Sequence, residues 1–143
     1  VEPGEAVALN AGYLVTTVLD KVENGITTLI LDASAACHMP DVLEMPYTPP
    51  LRDGLKISDI DGGEFRYRLS SYTCLAGDII GDYQFSREIN AGDRLVFEDM
   101  ALYSMVKNNT FNGIPLPDIV IMDSDGECKV WKHFGYEDFK GRL

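Results

Sequence analysis

Apolar and polar residues alternate through much of the chain without a lasting helical period. Residues 6–19 are rich in β-branched and aromatic side chains, and residues 26–31 repeat that character. Such runs are typical of strands. Between them stands Glu23-Asn24-Gly25, and an Asn-Gly pair readily takes the positive φ values of a tight type I′ turn. The first part of the chain therefore predicts a hairpin of two antiparallel strands.

The same kind of pattern predicts further strands downstream. Residues 64–71 alternate aromatic and aliphatic side chains with two arginines, which is the period of a half-exposed strand. Residues 94–97 are largely apolar and follow a turn cluster. Residues 119–122 and 128–131 are separated by Ser-Asp-Gly and predict a last hairpin.

The remaining segments predict short elements and corners. We expect a brief helical turn near residues 40–43, a proline-rich corner at residues 46–50, and a short helix or a loop at residues 136–142. No segment has a long amphipathic helical pattern. The sequence thus predicts one mainly β domain over residues 1–143, built as a sandwich or a Greek-key barrel, with periodicity alone favouring neither.

Composition narrows the class of protein. With 143 residues, of which 45% are hydrophobic, the chain can fill one core. Its formal net charge of -11 opposes binding to nucleic acid phosphates. The acidic residues either attract a cationic substrate or only solvate the surface, as most acidic residues of a soluble protein do. No run of about 20 apolar residues and no signal sequence is evident, which predicts a cytoplasmic protein without membrane contact. Because no Met begins the chain, we expect a fragment of a longer protein.

Cysteine spacing gives little support to structural bridges or metals. Cys37, Cys74 and Cys128 form no CxxC pair, so neither a disulfide framework nor a zinc ribbon is indicated. Cys37 and His38 lie close to Asp41, but their spacing matches no structural zinc pattern. We expect no bound metal.

Two stretches contain the side chains best suited to catalysis or ligand binding. Residues 73–78, Thr-Cys-Leu-Ala-Gly-Asp, place the Cys74 thiol in a turn after a strand. There it could serve as a nucleophile, a proton donor or a metal ligand, or be a small buried hydrophobe. Residues 98–103 place Tyr103 after an acidic pair, where it could orient a ligand or be a core or rim aromatic. Either alternative is open from the residues alone.

Four motifs together resemble one known family. Glu-Pro-Gly at residues 2–4, Cys-Leu-Ala-Gly-Asp at 74–78, Glu-Asp-Met with Tyr103, and Phe-Asn-Gly at 111–113 occur in the order found in the C-terminal half of ornithine- and diaminopimelate-decarboxylase-like enzymes. Cys-His-Met-Pro-Asp at 37–41 and the run ending at Tyr47 resemble the carboxynorspermidine/carboxyspermidine decarboxylase branch. The resemblance spans nearly the whole chain.

The resemblance implies a fold, a cofactor and partners. The expected fold is the C-terminal β-sandwich or Greek-key barrel domain of fold type III pyridoxal phosphate (PLP) decarboxylases. It implies an N-terminal (β/α)₈ barrel, absent from this chain, whose lysine holds PLP as a Schiff base. It also implies a head-to-tail homodimer and a cationic polyamine-type amino-acid substrate, with decarboxylation giving norspermidine or spermidine.

The resemblance also implies roles for single residues. Glu2 matches the glutamate that pairs with the pyridine nitrogen, Tyr103 matches the tyrosine beside the cofactor, and Cys74 matches the cysteine that protonates the α-carbon of the partner's substrate. Substrate contacts are expected from Asp32, His38, Asp41 and Asp78.

Two departures from the family pattern point to a polyamine substrate. Glu5 stands where ornithine and diaminopimelate decarboxylases usually have arginine, and Leu75 stands where they place an acidic residue. The alternative hypothesis is a non-catalytic homologue or a binding module of the same fold, in which Cys74 and Tyr103 are structural.

Overall fold

The computed structural model describes residues 1–57 and 64–143, and these residues form a mainly β domain as the sequence predicts. The strands are β1 (Leu14–Asn24), β2 (Ile26–Leu31), β3 (Gly54–Lys56), β4 (Phe65–Ser71), β5 (Ile79–Phe85), β6 (Arg94–Phe97), β7 (Ile119–Met122) and β8 (Cys128–Lys132). The short α-helices are α1 (Gly4–Ala8), α2 (Ala35–His38), α3 (Asp41–Glu44) and α4 (Tyr136–Lys140).

Six strands form one curled sheet in the order β3-β5-β4-β2-β1-β6. Neighbouring strands run antiparallel except β2 and β4, which are parallel. Leu51 forms bridges to both Gly54 of β3 and Phe97 of β6, the two edge strands. The sheet therefore curls into a half-barrel that nearly closes through Leu51, which confirms the barrel form of the predicted fold.

Alternate residues of the curled sheet fill its interior. In β4, Tyr67 and Leu69 are buried, and Arg66 and Arg68, which alternate with them, are partly exposed. Leu29 and Leu31 of β2 and Phe97 of β6 complete the centre of the core. This period of two is the pattern that predicted these strands, because successive side chains of a strand point to opposite faces.

The two predicted hairpins are confirmed, although the first turn differs in detail. Asn24 pairs with Ile26, and Gly25 alone takes a positive φ of 75° between them. The turn is thus one residue shorter than the predicted type I′ loop. β7 and β8 form a separate two-stranded sheet, followed by α4 in the predicted tail.

The start of the chain differs from its prediction. Residues 6–8 belong to α1 and not to a strand that runs to residue 19, and β1 begins only at Leu14. None of the residues of α1 is buried, so their apolar side chains do not mark a core-facing strand. In the described residues, no helix is long and apolar enough to cross a membrane.

Candidate functional site

Three loop segments meet at the carboxyl ends of the parallel strands β2 and β4. The first is residues 32–41, which follows β2, and the second is residues 72–78, which follows β4. The third is residues 99–115, here called the connecting segment, which follows β6. Parallel neighbours end at the same edge of a sheet, so the first two loops emerge side by side.

Asp78 joins the first two loops. Its Oδ2 atom accepts hydrogen bonds from Ser34 Oγ at 2.7 Å and Thr73 Oγ1 at 2.6 Å, and its Oδ1 atom accepts one from the Ala36 N–H at 3.2 Å. The residue is only 1% exposed. A carboxylate buried this deeply is stabilised by its donors, so Asp78 fastens the Cys74 loop to the start of α2.

Cys74 lies exposed on the loop that Asp78 anchors. Its Sγ atom accepts a hydrogen bond of 2.9 Å from Asn112 Nδ2 of the connecting segment. The sequence offers two alternatives for this thiol, and the structure excludes the buried hydrophobe. An exposed thiol on a fixed loop can donate a proton to a bound molecule.

The connecting segment is attached to α2 by a second set of contacts. Asn109 Nδ2 donates to Ala36 O at 2.8 Å, and the Asn109 N–H donates to Cys37 O at 3.0 Å. Cys37 Sγ is buried and donates to Phe111 O at 3.7 Å. Burial raises the pKa of the Cys37 thiol above its ordinary value, so this cysteine stays protonated and structural.

His38 is buried, and both its ring nitrogens are used within the chain. The Ser34 N–H donates to Nδ1 at 3.1 Å, so Nδ1 is the acceptor and the ring proton is on Nε2. Nε2 then donates to Pro115 O at 3.1 Å. Burial lowers the pKa of His38 below its ordinary value and keeps the ring neutral. The predicted substrate contact of His38 stays a prediction, and this geometry favours a structural role.

Tyr103 lies on the surface at the start of the connecting segment. It is 60% exposed and has a positive φ of 50°. Lys107 Nζ lies 5.5 Å from the centre of its ring, and the same ammonium contacts Asp41 and, at 3.1 Å, Glu44. The hydrogen bond from Lys107 to Asp41 contributes most to raising the pKa of Lys107. Asp41 is therefore already paired with a cation, whereas the ring of Tyr103 is open to a ligand.

The N-terminal helix packs next to Tyr103. A Cβ atom on Gly4 of α1 would lie 3.5 Å from Leu102, and Gly12 approaches the Ala101 backbone so closely that a Cβ there would lie 2.8 Å from Ala101 N. The Asn10 N–H donates to Asp99 Oδ1 at 2.8 Å. These contacts place α1, with exposed Glu2 before it, beside the same turn as Tyr103.

Asp32 is the predicted substrate residue whose carboxylate is most open. Its Oδ1 atom accepts hydrogen bonds from Thr16 Oγ1 and, at 2.8 Å, from the Thr17 N–H, and the residue is exposed. Within the described residues, Oδ2 accepts no hydrogen bond. One oxygen therefore holds the side chain in place while the other can face a cationic group.

The structure thus separates the predicted site residues into two groups. Cys74, Tyr103, Glu2 and Asp32 are exposed, whereas Asp78, His38 and Asp41 are buried. Protein atoms occupy both carboxylate oxygens of Asp78 and both ring nitrogens of His38, and Lys107 contacts Oδ1 of Asp41. Sequence reasoning missed Asn112, although its Phe-Asn-Gly motif was a signal for it. Among residues 1–57 and 64–143, no group of three His, Cys, Asp or Glu side chains could hold a metal ion.

The sequence of this domain matches one known protein family. The sequence model of the family described as "Pyridoxal-dependent decarboxylase, C-terminal sheet domain" matches residues 6–101. The chain belongs to this family. The resemblance that the sequence motifs indicate is therefore confirmed, and the curled half-barrel is a sheet domain of this family.

Curated relatives carry names from one group of decarboxylases. The domain is 47% identical over its whole length to a carboxyaminopropylagmatine decarboxylase from Synechocystis sp., and 43% identical over 99% of its length to a carboxynorspermidine/carboxyspermidine decarboxylase from Campylobacter jejuni. It covers 36% of the first relative and 39% of the second. The chain thus spans well under half the length of these relatives.

Solved structures show the same fold. The carboxynorspermidine decarboxylase from Campylobacter jejuni, crystallised with norspermidine, superposes with a TM-score of 0.92 at 42% identity over 98% of this domain and 40% of that chain. A diaminopimelate decarboxylase superposes with a TM-score of 0.75 at 19% identity over 93% of the domain and 34% of that chain. At that identity the second likeness shows the fold alone.

The exposed residues of the sheet domain fit the cofactor of the family. Within the described residues, the Glu2 carboxylate accepts no hydrogen bond, which leaves it available to the protonated nitrogen of a pyridine ring. Tyr103 presents an exposed aromatic ring on the connecting segment, next in sequence to Leu102, which Gly4 of α1 approaches. An anionic carboxylate and an aromatic face are suited to a cationic heteroaromatic group, so both side chains could contribute to holding PLP.

Proposed function

We propose that this domain belongs to a PLP-dependent carboxy-lyase that converts carboxynorspermidine or carboxyspermidine to norspermidine or spermidine in polyamine biosynthesis. The observation that carries this proposal is the similarity to the Campylobacter jejuni enzyme, at 42% identity and a TM-score of 0.92 over 98% of the chain. We further propose that the enzyme acts in the cytoplasm as a homodimer with an N-terminal barrel domain that bears the PLP-binding lysine.

When bound, PLP would supply an electron sink for the α-carbon from which carbon dioxide departs. Cys74 then returns a proton to that carbon in the partner subunit's site. Its exposure and its fixed loop suit this role. Glu2 would pair with the ring nitrogen of the cofactor, and Tyr103 would contact the ring.

The acidic net charge and two departures from the family pattern, Glu5 and Leu75, support a polyamine substrate. The open Oδ2 atom of Asp32 can accept a hydrogen bond from a substrate ammonium. The uncharged Leu75 and the anionic Glu5 replace the acidic and basic residues of ornithine and diaminopimelate decarboxylases. The formal net charge of -11 attracts a substrate that bears several ammonium groups.

A second substrate has direct support from one relative. The Synechocystis protein is named for carboxyaminopropylagmatine and is 47% identical over the whole chain. Agmatine ends in a guanidinium, a planar group with several donors, where a polyamine ends in a compact ammonium. We infer that the choice between these substrates depends on the carboxylates that face the distal group.

Replacement of Cys74 by Ala in the full-length enzyme tests the proposal. We expect product formation to fall by at least roughly a hundredfold, because general acid catalysis contributes about that much or more. Product mass spectrometry with carboxynorspermidine, carboxyspermidine and carboxyaminopropylagmatine in one competition mixture identifies the preferred substrate. The matched control is Cys128→Ala, which removes an exposed thiol from β8.

Unchanged turnover in Cys74→Ala would contradict the role of Cys74. Failure of the wild-type enzyme to decarboxylate any of the three substrates would instead favour a non-catalytic homologue or a binding module. If the enzyme preferred carboxyaminopropylagmatine, that compound would be the proposed substrate in place of carboxynorspermidine or carboxyspermidine.

A further inference from the structure

Two thiols lie on either side of the short turn Phe111–Gly113, and their hydrogen bonds have opposite senses. Cys37 Sγ donates to Phe111 O at 3.7 Å, so the proton of this thiol is engaged. Cys74 Sγ accepts from Asn112 Nδ2 at 2.9 Å. The proton of Cys74 is therefore free to point away from the protein, towards a bound molecule.

The amide of Asn112 is held in place by the backbone around it. Asn112 and Gly113 have positive φ values of 57° and 75°, and the Gly113 N–H donates to Thr110 O at 3.0 Å. The Phe111 N–H donates to Asn109 Oδ1 at 3.0 Å, and Asn109 is itself bonded to α2. Asparagine tolerates the left-handed conformation better than most residues, so it can present its amide from this strained turn.

We propose that Asn112 is a positioning residue for the proton donor Cys74. Its N–H group holds the sulfur by a lone pair and leaves the S–H proton directed outward. The same N–H group then stabilises the thiolate that remains after proton delivery, because a hydrogen bond to a charged acceptor is stronger than one to a neutral acceptor. This inference rests on the proposed function.

The proton transfer from Cys74 to the α-carbon needs no reactant other than a solvent proton that later restores the thiol. The S–H bond of Cys74 breaks and a C–H bond forms at the α-carbon, using the electron pair left there by the departing carboxylate. Sulfur keeps the electron pair of its S–H bond and becomes a thiolate, which accepts the hydrogen bond of Asn112. A proton from solvent restores the thiol before the next turnover.

Two variants of the full-length enzyme remove the amide donor with little backbone strain. Asn112→Gly suits the positive φ, and Asn112→Asp keeps the size and also tolerates that conformation. The matched control is Asn24→Asp, an exposed asparagine at the β1–β2 turn. Thermal unfolding of each variant reports whether the fold is kept.

The decisive readout is the pH profile of alkylation of Cys74 by iodoacetamide, followed by peptide mass spectrometry so that the three cysteines are distinguished. We expect Asn112→Gly to move the profile to higher pH and to slow alkylation near pH 7.5 by about tenfold, since less thiolate is present. Asn112→Asp is expected to move the profile further, because a carboxylate repels a thiolate. In both variants kcat falls by about tenfold while KM changes little.

Alkylation profiles and kcat values like those of the wild-type enzyme in both variants would overturn the inference. If Cys74→Ala is inactive in the same assays, the proposed function stands while the role of Asn112 fails. If Cys74→Ala is fully active, the proposed role of Cys74 fails first. A variant that loses activity with an unchanged alkylation profile would assign Asn112 a structural role and also overturn the inference.

Discussion

The buried, neutral His38 makes the stability of the domain depend on pH. Burial lowers its pKa, whereas in the unfolded chain the ring has an ordinary pKa of about 6.5. As the pH falls below about 6.5, the unfolded state binds a proton that the folded state does not. The stabilisation from His38 is therefore present above that pH and is lost as the pH falls.

We expect the melting temperature to decrease between about pH 7.5 and pH 5, and His38→Gln to reduce this dependence. Gln stays uncharged across this range, although it lowers stability at neutral pH by disturbing a buried position. Circular dichroism melts at several pH values measure both effects. Asp93 and Asp118, whose pKa values are lowered, take up protons below about pH 4, outside this window.

The exposed His133 provides the control. Its hydrogen bond to Asp118 raises its pKa, so its contribution is present at low pH and is lost as the pH rises. His133→Gln is therefore expected to leave the acid-side decrease in place. An acid-side decrease as large in His38→Gln as in the wild type would refute the assignment.

At the scale of single residues, sequence motifs select candidate site residues but do not predict which of them are buried. Motifs select Cys74 and Tyr103, and both are exposed in the structure. Asp78 stands in the same Cys-Leu-Ala-Gly-Asp motif, yet it is a buried anchor. A motif does not distinguish a residue that contacts a ligand from one that fixes the loop, because the difference depends on donors that are distant in sequence, such as Ser34.

At the scale of elements, a regular alternation of apolar and polar residues predicts a strand well, whereas an interrupted alternation does not. β4 keeps its period of two and is predicted to within one residue. β5 was missed because Gly81 and Asp82 interrupt its apolar residues, although cross-strand pairing with β4 forms it. The five-residue helix α1 was missed because a helix this short has no measurable period.

The docking of the Cys74 loop on α2 yields a prediction about stability. We expect Asp78→Asn to lower the free energy of unfolding by about 3 kcal/mol, because an amide cannot accept all three hydrogen bonds that the carboxylate accepts. Urea denaturation measures the change. Asp82→Asn, which removes a partly exposed ion pair with Arg68, is expected to cost less than about 1 kcal/mol. Equal losses in the two variants would contradict the anchoring role of Asp78.

At the scale of the whole molecule, the sheet domain alone does not define a substrate. It covers 36% to 39% of relatives that are named for different carboxylated amines. The fold could be predicted because alternation and turn residues are local features of the chain. In the proposed enzyme the substrate would also meet side chains outside these 143 residues, so the patterns of this domain support a class of substrate and do not single out one member.

The proposed homodimer makes a prediction that uses two residues of this domain. Glu2 lies before α1, which contacts Leu102 at one end of the connecting segment, and Cys74 contacts Asn112 near its other end. If Glu2 serves the cofactor of its own subunit and Cys74 serves that of the partner, the two residues act in different sites. A dimer of one Glu2→Ala subunit and one Cys74→Ala subunit then has one site with both defects and one intact site.

We expect this mixed dimer to have about half of the wild-type activity, although each homodimeric variant has little. Co-expression with two different affinity tags and sequential purification isolate the mixed dimer for assay. A mixed dimer of Cys74→Ala and Cys74→Ser subunits is the control, because neither of its sites has a thiol. If Glu2 and Cys74 instead acted in the same site of one subunit, each site of the first mixed dimer would lack one of them and activity would not recover. The recovered fraction therefore decides whether the sheet domain delivers Cys74 across the dimer or to its own subunit.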